Sequence, residues 1–138
     1  MNAIVVDCSA IVPWFFPEEE EEASLEIRRR VTRAGMQLVA PDLLRAEFGN
    51  VAWKKVRRGL CSRELAQEQI ALFSRLPILY CTHEPVIAFA FELACREGVT
   101  VYDALYLVLA RETEVSLATL DMRVRKTAGK MGIVLFGT

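Results

Sequence analysis

Short apolar runs punctuate this chain at regular intervals: Ile4 to Val6, "MQLVA" at 36–40, "ILY" at 78–80, "VSLAT" at 115–119 and "IVLF" at 133–136. Each is too short for a stable helix, and longer stretches with helical spacing of apolar residues lie between them, so strands alternate with helices along the sequence. Parallel strands need such crossover helices, and strands covered on both faces read as unbroken apolar runs. The pattern predicts an α/β fold with a central, mainly parallel sheet of four to five strands flanked by helices on both faces. No repeat, linker or low-complexity segment interrupts the 138 residues, which predicts one domain over 1–138.

Local punctuation sets the expected helix limits. "SAIVPWFFP" reads as a short helix with Ser9 as N-cap and Pro17 as its end, and a second helix runs from Glu18 to Ala34. Pro41 and Asp42 open a third that reaches about Arg58, and Ser62 starts a fourth that ends at Leu76. A fifth spans about Glu84 to Glu97, a sixth follows from Tyr102, and a seventh runs from Asp121 to Gly132. Successive helical residues project about 100° apart, so Trp14, Phe15 and Phe16 cannot all point inward from one short helix, and they either present a partner-binding patch or are covered by a second copy or by the helix that starts at Glu18.

Charge and cysteine usage narrow the chemistry. A formal net charge of −1 excludes a strongly basic, histone-like binder. The acidic run Glu18 to Glu22, followed by Arg28, Arg29, Arg30 and Arg33, reads as a solvated helix with charges matched to its dipole. Cys8, Cys61, Cys81 and Cys95 form no C-x-x-C pair and His83 is the only histidine, so the cysteines read as core thiols, the histidine as a surface residue, and a zinc site is not expected. The uncharged apolar stretches fall short of the roughly 18 residues that span a bilayer, and "MNAIVVDCSA" lacks the basic start of a secretory signal; a cytoplasmic address is expected.

Four acids stand in apolar company. From Tyr102 onward "YDALYLVLA" reads as a helix buried all round, yet Asp103 sits in its first turn. The helix dipole favours an anion there by only about 0.3 to 1 kcal/mol, against a burial cost several times larger. On the third helix Leu44, Glu47, Phe48 and Val51 share one stripe, which puts Glu47 on the core side. Asp7 directly follows the first strand and Asp121 closely follows "VSLAT", so both sit at strand C-terminal ends, where open parallel sheets bind ligands. Each acid has a plain structural alternative: a cap or turn at Asp7 and Asp121, a first-turn acid at Asp103, a partner for a buried arginine at Glu47.

Four carboxylates brought together repel and raise one another's pKa values, and a hard divalent cation resolves the conflict. Oxygen ligands without histidine or thiolate select magnesium or manganese over zinc, and the available chemistry is metal-assisted hydrolysis, with phosphodiesters as the natural substrate. Competing α/β readings lack residues they need. A receiver domain requires two adjacent acids where Asp7 is followed by Cys8; a haloacid-type phosphatase requires an acid where Ser9 stands; a dinucleotide binder requires a G-x-G that is absent.

"VVDCSAIV", "LLRAEFGNV", "VTVYDALYLVLA" and "LATLDMRV" together resemble the PIN-domain ribonucleases, and in order, spacing and length the short VapC-type toxins among them. The resemblance covers nearly the whole chain. It implies a PIN fold, a magnesium- or manganese-dependent endoribonuclease leaving 5′-phosphate and 3′-hydroxyl ends, a homodimer, and a VapB-type antitoxin partner. It further implies that Asp7, Glu47, Asp103 and Asp121 form the catalytic acid cluster, with Asp7 and Asp103 as the direct metal ligands, and that Ser9 and Thr119 orient Asp7 and Asp121. Lys54, Arg57, Arg58, Arg123, Arg125 and Lys126 flank the Glu47 and Asp121 elements and are candidates for RNA phosphates. PIN domains also serve in RNA processing outside toxin systems, and a catalytically silent scaffold is the non-enzymatic alternative.

Overall fold

The structure, a computed structural model, describes residues 2–19, 21–82 and 84–137. His83 lies outside the described residues, as does Glu20 of the acidic run. The elements follow in the order β1 (Ala3–Val6), α1 (Cys8–Phe15), α2 (Glu22–Ala34), β2 (Gln37–Pro41), α3 (Leu43–Arg57), α4 (Arg63–Ser74), β3 (Ile78–Cys81), α5 (Ile87–Glu97), α6 (Val101–Thr113), β4 (Ser116–Ala118) and α7 (Met122–Lys130). The four strands form one sheet in the order β3-β2-β1-β4, parallel throughout. All four residues of β1 are buried, as befits a central strand covered on both faces. Helix α6 packs on β1, β2 and β4 and carries α5, while α3 packs on β2 with α1 and α4 against it. No helix among the described residues is long and apolar enough to cross a membrane.

"IVLF" departs from the expectation of a strand. It contributes one isolated parallel bridge, Leu117 with Leu135, flanked by hydrogen bonds from Leu117 N to the Val134 carbonyl and from Phe136 N to the Leu117 carbonyl. Gly132 and Gly137 bracket it at φ of 74° and 86°, so the chain turns at both ends and Val134 is left 67% exposed. The helix expected from Glu18 is also shorter. Pro17–Glu19 forms a 3-10 turn and α2 begins at Glu22, because Glu18 and Glu19 turn back to the buried Lys55 of α3 in two ion pairs.

At 14–16 the aromatics take the covered alternative and not the partner patch. Phe16 is fully buried, and Phe15 packs edge-on against Phe48 and Phe73, whose rings stack with centroids 4.1 Å apart. Trp14 is half-buried and donates its indole N–H to the Ser24 carbonyl at 2.9 Å. Helix α2 thus closes over α1, and no exposed patch forms there. Exposed aromatic surface lies elsewhere, at Trp53, Phe89, Phe91 and Tyr102. Of the cysteines, Cys8, Cys61 and Cys81 are partly buried, whereas Cys95 is exposed and not a core thiol.

Candidate active site

Strand order reverses at β1: the chain builds outward to β2 and β3, then returns to place β4 on the other side of β1. The crevice beyond the carboxyl ends of β1 and β4 is therefore the switch point of the sheet. Val6 pairs with Ala118, and Asp7 N–H donates to the Ala118 carbonyl at 3.2 Å, so the residues leaving the two strands emerge side by side.

Asp7 is itself the N-cap of α1. Its Oδ1 accepts from the Ala10 N–H at 3.1 Å and from the Ser9 hydroxyl at 2.6 Å. Ser9, expected as the cap, serves the capping residue instead. Its oxygen accepts the Leu120 N–H at 2.9 Å and lies 3.3 Å from the Thr119 hydroxyl, which in turn accepts the Asp121 N–H at 3.1 Å. A hydroxyl has one proton, and that of Ser9 is committed to Asp7, so Thr119 is the donor in the Ser9–Thr119 pair. The result is a directed chain from the Asp121 amide through Thr119 and Ser9 to the Asp7 carboxylate. Thr119 is fully buried, and the Arg125 guanidinium donates to its carbonyl at 3.0 Å.

Asp121 is exposed and caps α7, its Oδ1 accepting from the Arg123 and Val124 amides at 2.9 and 3.1 Å. Its second oxygen makes no protein hydrogen bond among the described residues. Asp103 is half-buried in the first turn of α6, where the Thr100 hydroxyl oxygen accepts its N–H at 3.0 Å. The all-round burial of α6 begins only at Ala104, and Tyr102 is 60% exposed; Asp103 thus opens onto the edge of the sheet. Glu47 is half-buried on α3 between Leu44 and Phe48, and no arginine meets it: Tyr106 of α6 donates its hydroxyl to Glu47 Oε1.

These carboxyls feel one another. Burial is the main force lifting the pKa of Asp7 to about 6; the Ser9 hydroxyl, with Thr119 behind it, and the Ala10 amide oppose the rise, and the charge of Asp103 adds to it. Burial likewise raises Glu47, opposed by the Tyr106 hydrogen bond and reinforced by Asp7 and Asp103. Asp103 is raised by burial and by Asp121, with Thr100 and the Arg123 charge opposing. The repulsions therefore link all four acids in one row. No ion pair with a basic residue relieves any of them among the described residues.

The donor chemistry fits a hard divalent cation. Four carboxylates stand without imidazole, and the one thiol beside them, Cys8, is held in its neutral form by burial and by Glu47 and Asp7. Among the described residues no three acids, thiols or imidazoles form a compact cage. Magnesium does not require one, because it keeps several waters and commonly binds through one or two carboxylates together with substrate phosphate. A cleft of about 570 Å³ leads to this edge, lined among others by Cys8, Ser9, Asp121, Glu18 and Glu19.

The flanking basic residues divide by position. Arg123 and Lys126 are exposed on α7 next to Asp121, and the Arg123 charge reaches Asp103. Arg125 is partly engaged with Thr119. Lys54, Arg57 and Arg58 are exposed at the far end of α3, and the Arg57 guanidinium lies over the Trp53 ring at 5.4 Å. Tyr106 is not marked by the sequence pattern: it reads there as one more apolar residue of a buried helix, and only its i+3 spacing from Asp103 hints at a shared face.

Known proteins resemble this chain in sequence and fold. The PIN-domain family profile matches residues 4–130. The chain is 37% identical over 125 residues to Ribonuclease VapC3 of Pyrobaculum aerophilum, covering 88% of this chain and 91% of that protein. Ribonuclease VapC1 of Mycobacterium tuberculosis is 34% identical over 134 residues, covering 94% of this chain and 93% of the relative. Among solved structures, VapBC2 of Rickettsia felis bound to a DNA fragment from its promoter superposes with a TM-score of 0.67 at 12% identity, covering 96% of each chain.

Proposed function

The chain belongs to the PIN-domain family, alongside the VapC ribonucleases, and on that premise we propose that it is the ribonuclease toxin of a toxin–antitoxin pair, hydrolysing RNA phosphodiesters at the carboxyl edge of its sheet. The observation that carries the site assignment is the row Glu47, Asp7, Asp103 and Asp121: Glu47, Asp7 and Asp103 repel one another and Asp121 acts on Asp103, the innermost acid is 6% exposed, and among the described residues no ion-paired base neutralises them. Asp7 and Asp103 would hold a magnesium or manganese ion directly, and Glu47 and Asp121 would do so through water or at a second ion. Such an ion, when bound, supplies a water of lowered pKa and positive charge for the phosphoryl oxygens.

The remaining work falls to the chain's own residues. Ser9 and Thr119 fix the Asp7 carboxyl through the chain that begins at the Asp121 amide. Arg123 and Lys126, at the positive N-terminal half of α7, receive flanking phosphates. No histidine is needed for proton transfer. The antitoxin belongs to the same reading, supported by the structural likeness to VapBC2; association of two copies follows only from the family resemblance.

The test is cleavage of a defined RNA with manganese, magnesium or chelator present, followed by mapping of the new ends. We expect metal-dependent cuts with 5′-phosphate ends, undiminished in His83→Ala and abolished in Asp7→Asn and Asp103→Asn. Ends carrying 2′,3′-cyclic phosphate would overturn the water-attack chemistry, because they require the ribose hydroxyl as nucleophile.

A further inference from the structure

Glu47 occupies an unstable place. It is a three-torsion side chain, half-buried and repelled by both Asp7 and Asp103, with solvent available to it on one side. Left to itself it would swing away from the two aspartates. What holds it is the Tyr106 hydroxyl, its one side-chain partner among the described residues, donated to Oε1 from α6. Tyr106 is 2% exposed, so its ring is fixed by core packing and delivers the hydroxyl at a set place. It also stands one helical turn after Asp103, which puts the aspartate and the donor that fixes the glutamate on the same face of one rigid helix. A buried hydroxyl with a single acceptor, on a site acid 59 residues away in sequence, is more than core packing requires: phenylalanine would fill the same volume.

We propose that Tyr106 is a positioning residue of the acid cluster, whose hydroxyl holds Glu47 beside Asp7 and Asp103 against their repulsion and so presets the site for a divalent cation. The proposal rests on the assignment of the four acids as a metal site. It acts through Glu47 and not on the substrate, so its signature is metal affinity rather than a direct loss of RNA binding.

The experiment is calorimetric titration of manganese into the metal-free protein, comparing wild type with Tyr106→Phe, Glu47→Gln, the double variant and Asp7→Asn, with melting temperatures recorded in chelator. Loss of a partner that orients a metal ligand typically weakens binding 10- to 100-fold, and we expect about tenfold or more for Tyr106→Phe. The double variant should bind no more weakly than Glu47→Gln alone, because the hydroxyl works only through that carboxylate. A Tyr106→Phe protein that melts lower but binds manganese within twofold of wild type would show a purely structural role and overturn the proposal. So would an equal further loss in the Glu47→Gln background. Should Tyr106→Phe not fold, 4-fluorophenylalanine at position 106 fills the tyrosine volume without a donor and must give the same weakening. If Asp7→Asn binds manganese as wild type does, the metal-site assignment itself fails; if Asp7→Asn loses binding and Tyr106→Phe does not, only the role of Tyr106 fails.

Discussion

Under the proposed assignment, Asp7 concentrates the conflict between folding and function in one side chain. It caps α1 and accepts from Ser9, yet burial lifts its pKa from 3.8 to about 6. A carboxyl raised on folding contributes most to stability below its unfolded pKa, and that contribution is lost as pH rises through the folded value. Two pKa units correspond to roughly 3 kcal/mol, so the metal-free protein should lose up to that amount between about pH 4 and pH 7. Asparagine caps a helix about as well as aspartate and carries no charge. Asp7→Asn should therefore be more stable than wild type in chelator at pH 7.5, with the gap closing near pH 4, as read by urea unfolding at both pH values. Manganese at 100 times its Kd should stabilise wild type by about 2.7 kcal/mol and leave the variant unmoved. A wild type as stable as Asp7→Asn in chelator at pH 7.5 would contradict the strained-acid account.

Single elements can be tested without substituting the acids. Thr100 caps α6 by accepting the Asp103 N–H, and Thr100→Ala should cost about 1 kcal/mol in urea unfolding, within the usual range for a lost N-cap. Lys55 ties the Pro17–Glu19 turn to α3 and lies 5.0 Å over the Phe16 ring. Lys55→Met keeps the apolar stem, and the two glutamates it releases are already partly solvated, so global stability should change by about 1 kcal/mol or less. The turn itself should come loose, and a glutamate-specific protease should cut at Glu18 to Glu22 faster than in wild type. These two elements show what the sequence makes legible. Period and punctuation disclose β1 to β4, the Ser62 cap of α4 and the parallel direction of the strands, though not their order, because they depend on neighbours a few residues away. The acids were legible because they interrupt apolar patterns. The Lys55 pairs and the Tyr106–Glu47 bond were not, since they join residues 37 and 59 apart through tertiary packing that no local period encodes. The same holds for "IVLF", whose apolar pattern suits a strand but whose flanking glycines turn the chain out of register, and for "WFF", where the closing surface came from α2.

At the scale of the whole molecule, a net charge of −1 offers RNA no general attraction, and the acidic edge with Glu18 and Glu19 on its cleft repels phosphate. Affinity must come from local cations placed beside the acids. Helix α3 starts at the carboxyl edge of the sheet, and with about 1.5 Å rise per residue Arg57 lies roughly 15 Å beyond Glu47 along it. Helix α7 starts at the same edge but keeps its cations near it: its N-cap is Asp121, with Arg123 two residues on and close enough for its charge to act on Asp103. RNA should therefore lie across the start of α7, and the end of α3 should matter little. Each neutralised phosphate of a single strand contributes a slope of about −0.7 to log K against log salt. In an Asp7→Asn background, where the RNA stays intact, Arg123→Ala should reduce the magnitude of that slope by about 0.7, and Arg57→Ala should leave it within error. Fluorescence anisotropy of a labelled RNA over a salt series reads both values directly. Equal losses in the two variants would place the backbone contacts along α3 as well, and a loss only in Arg57→Ala would reverse the assigned path of the RNA.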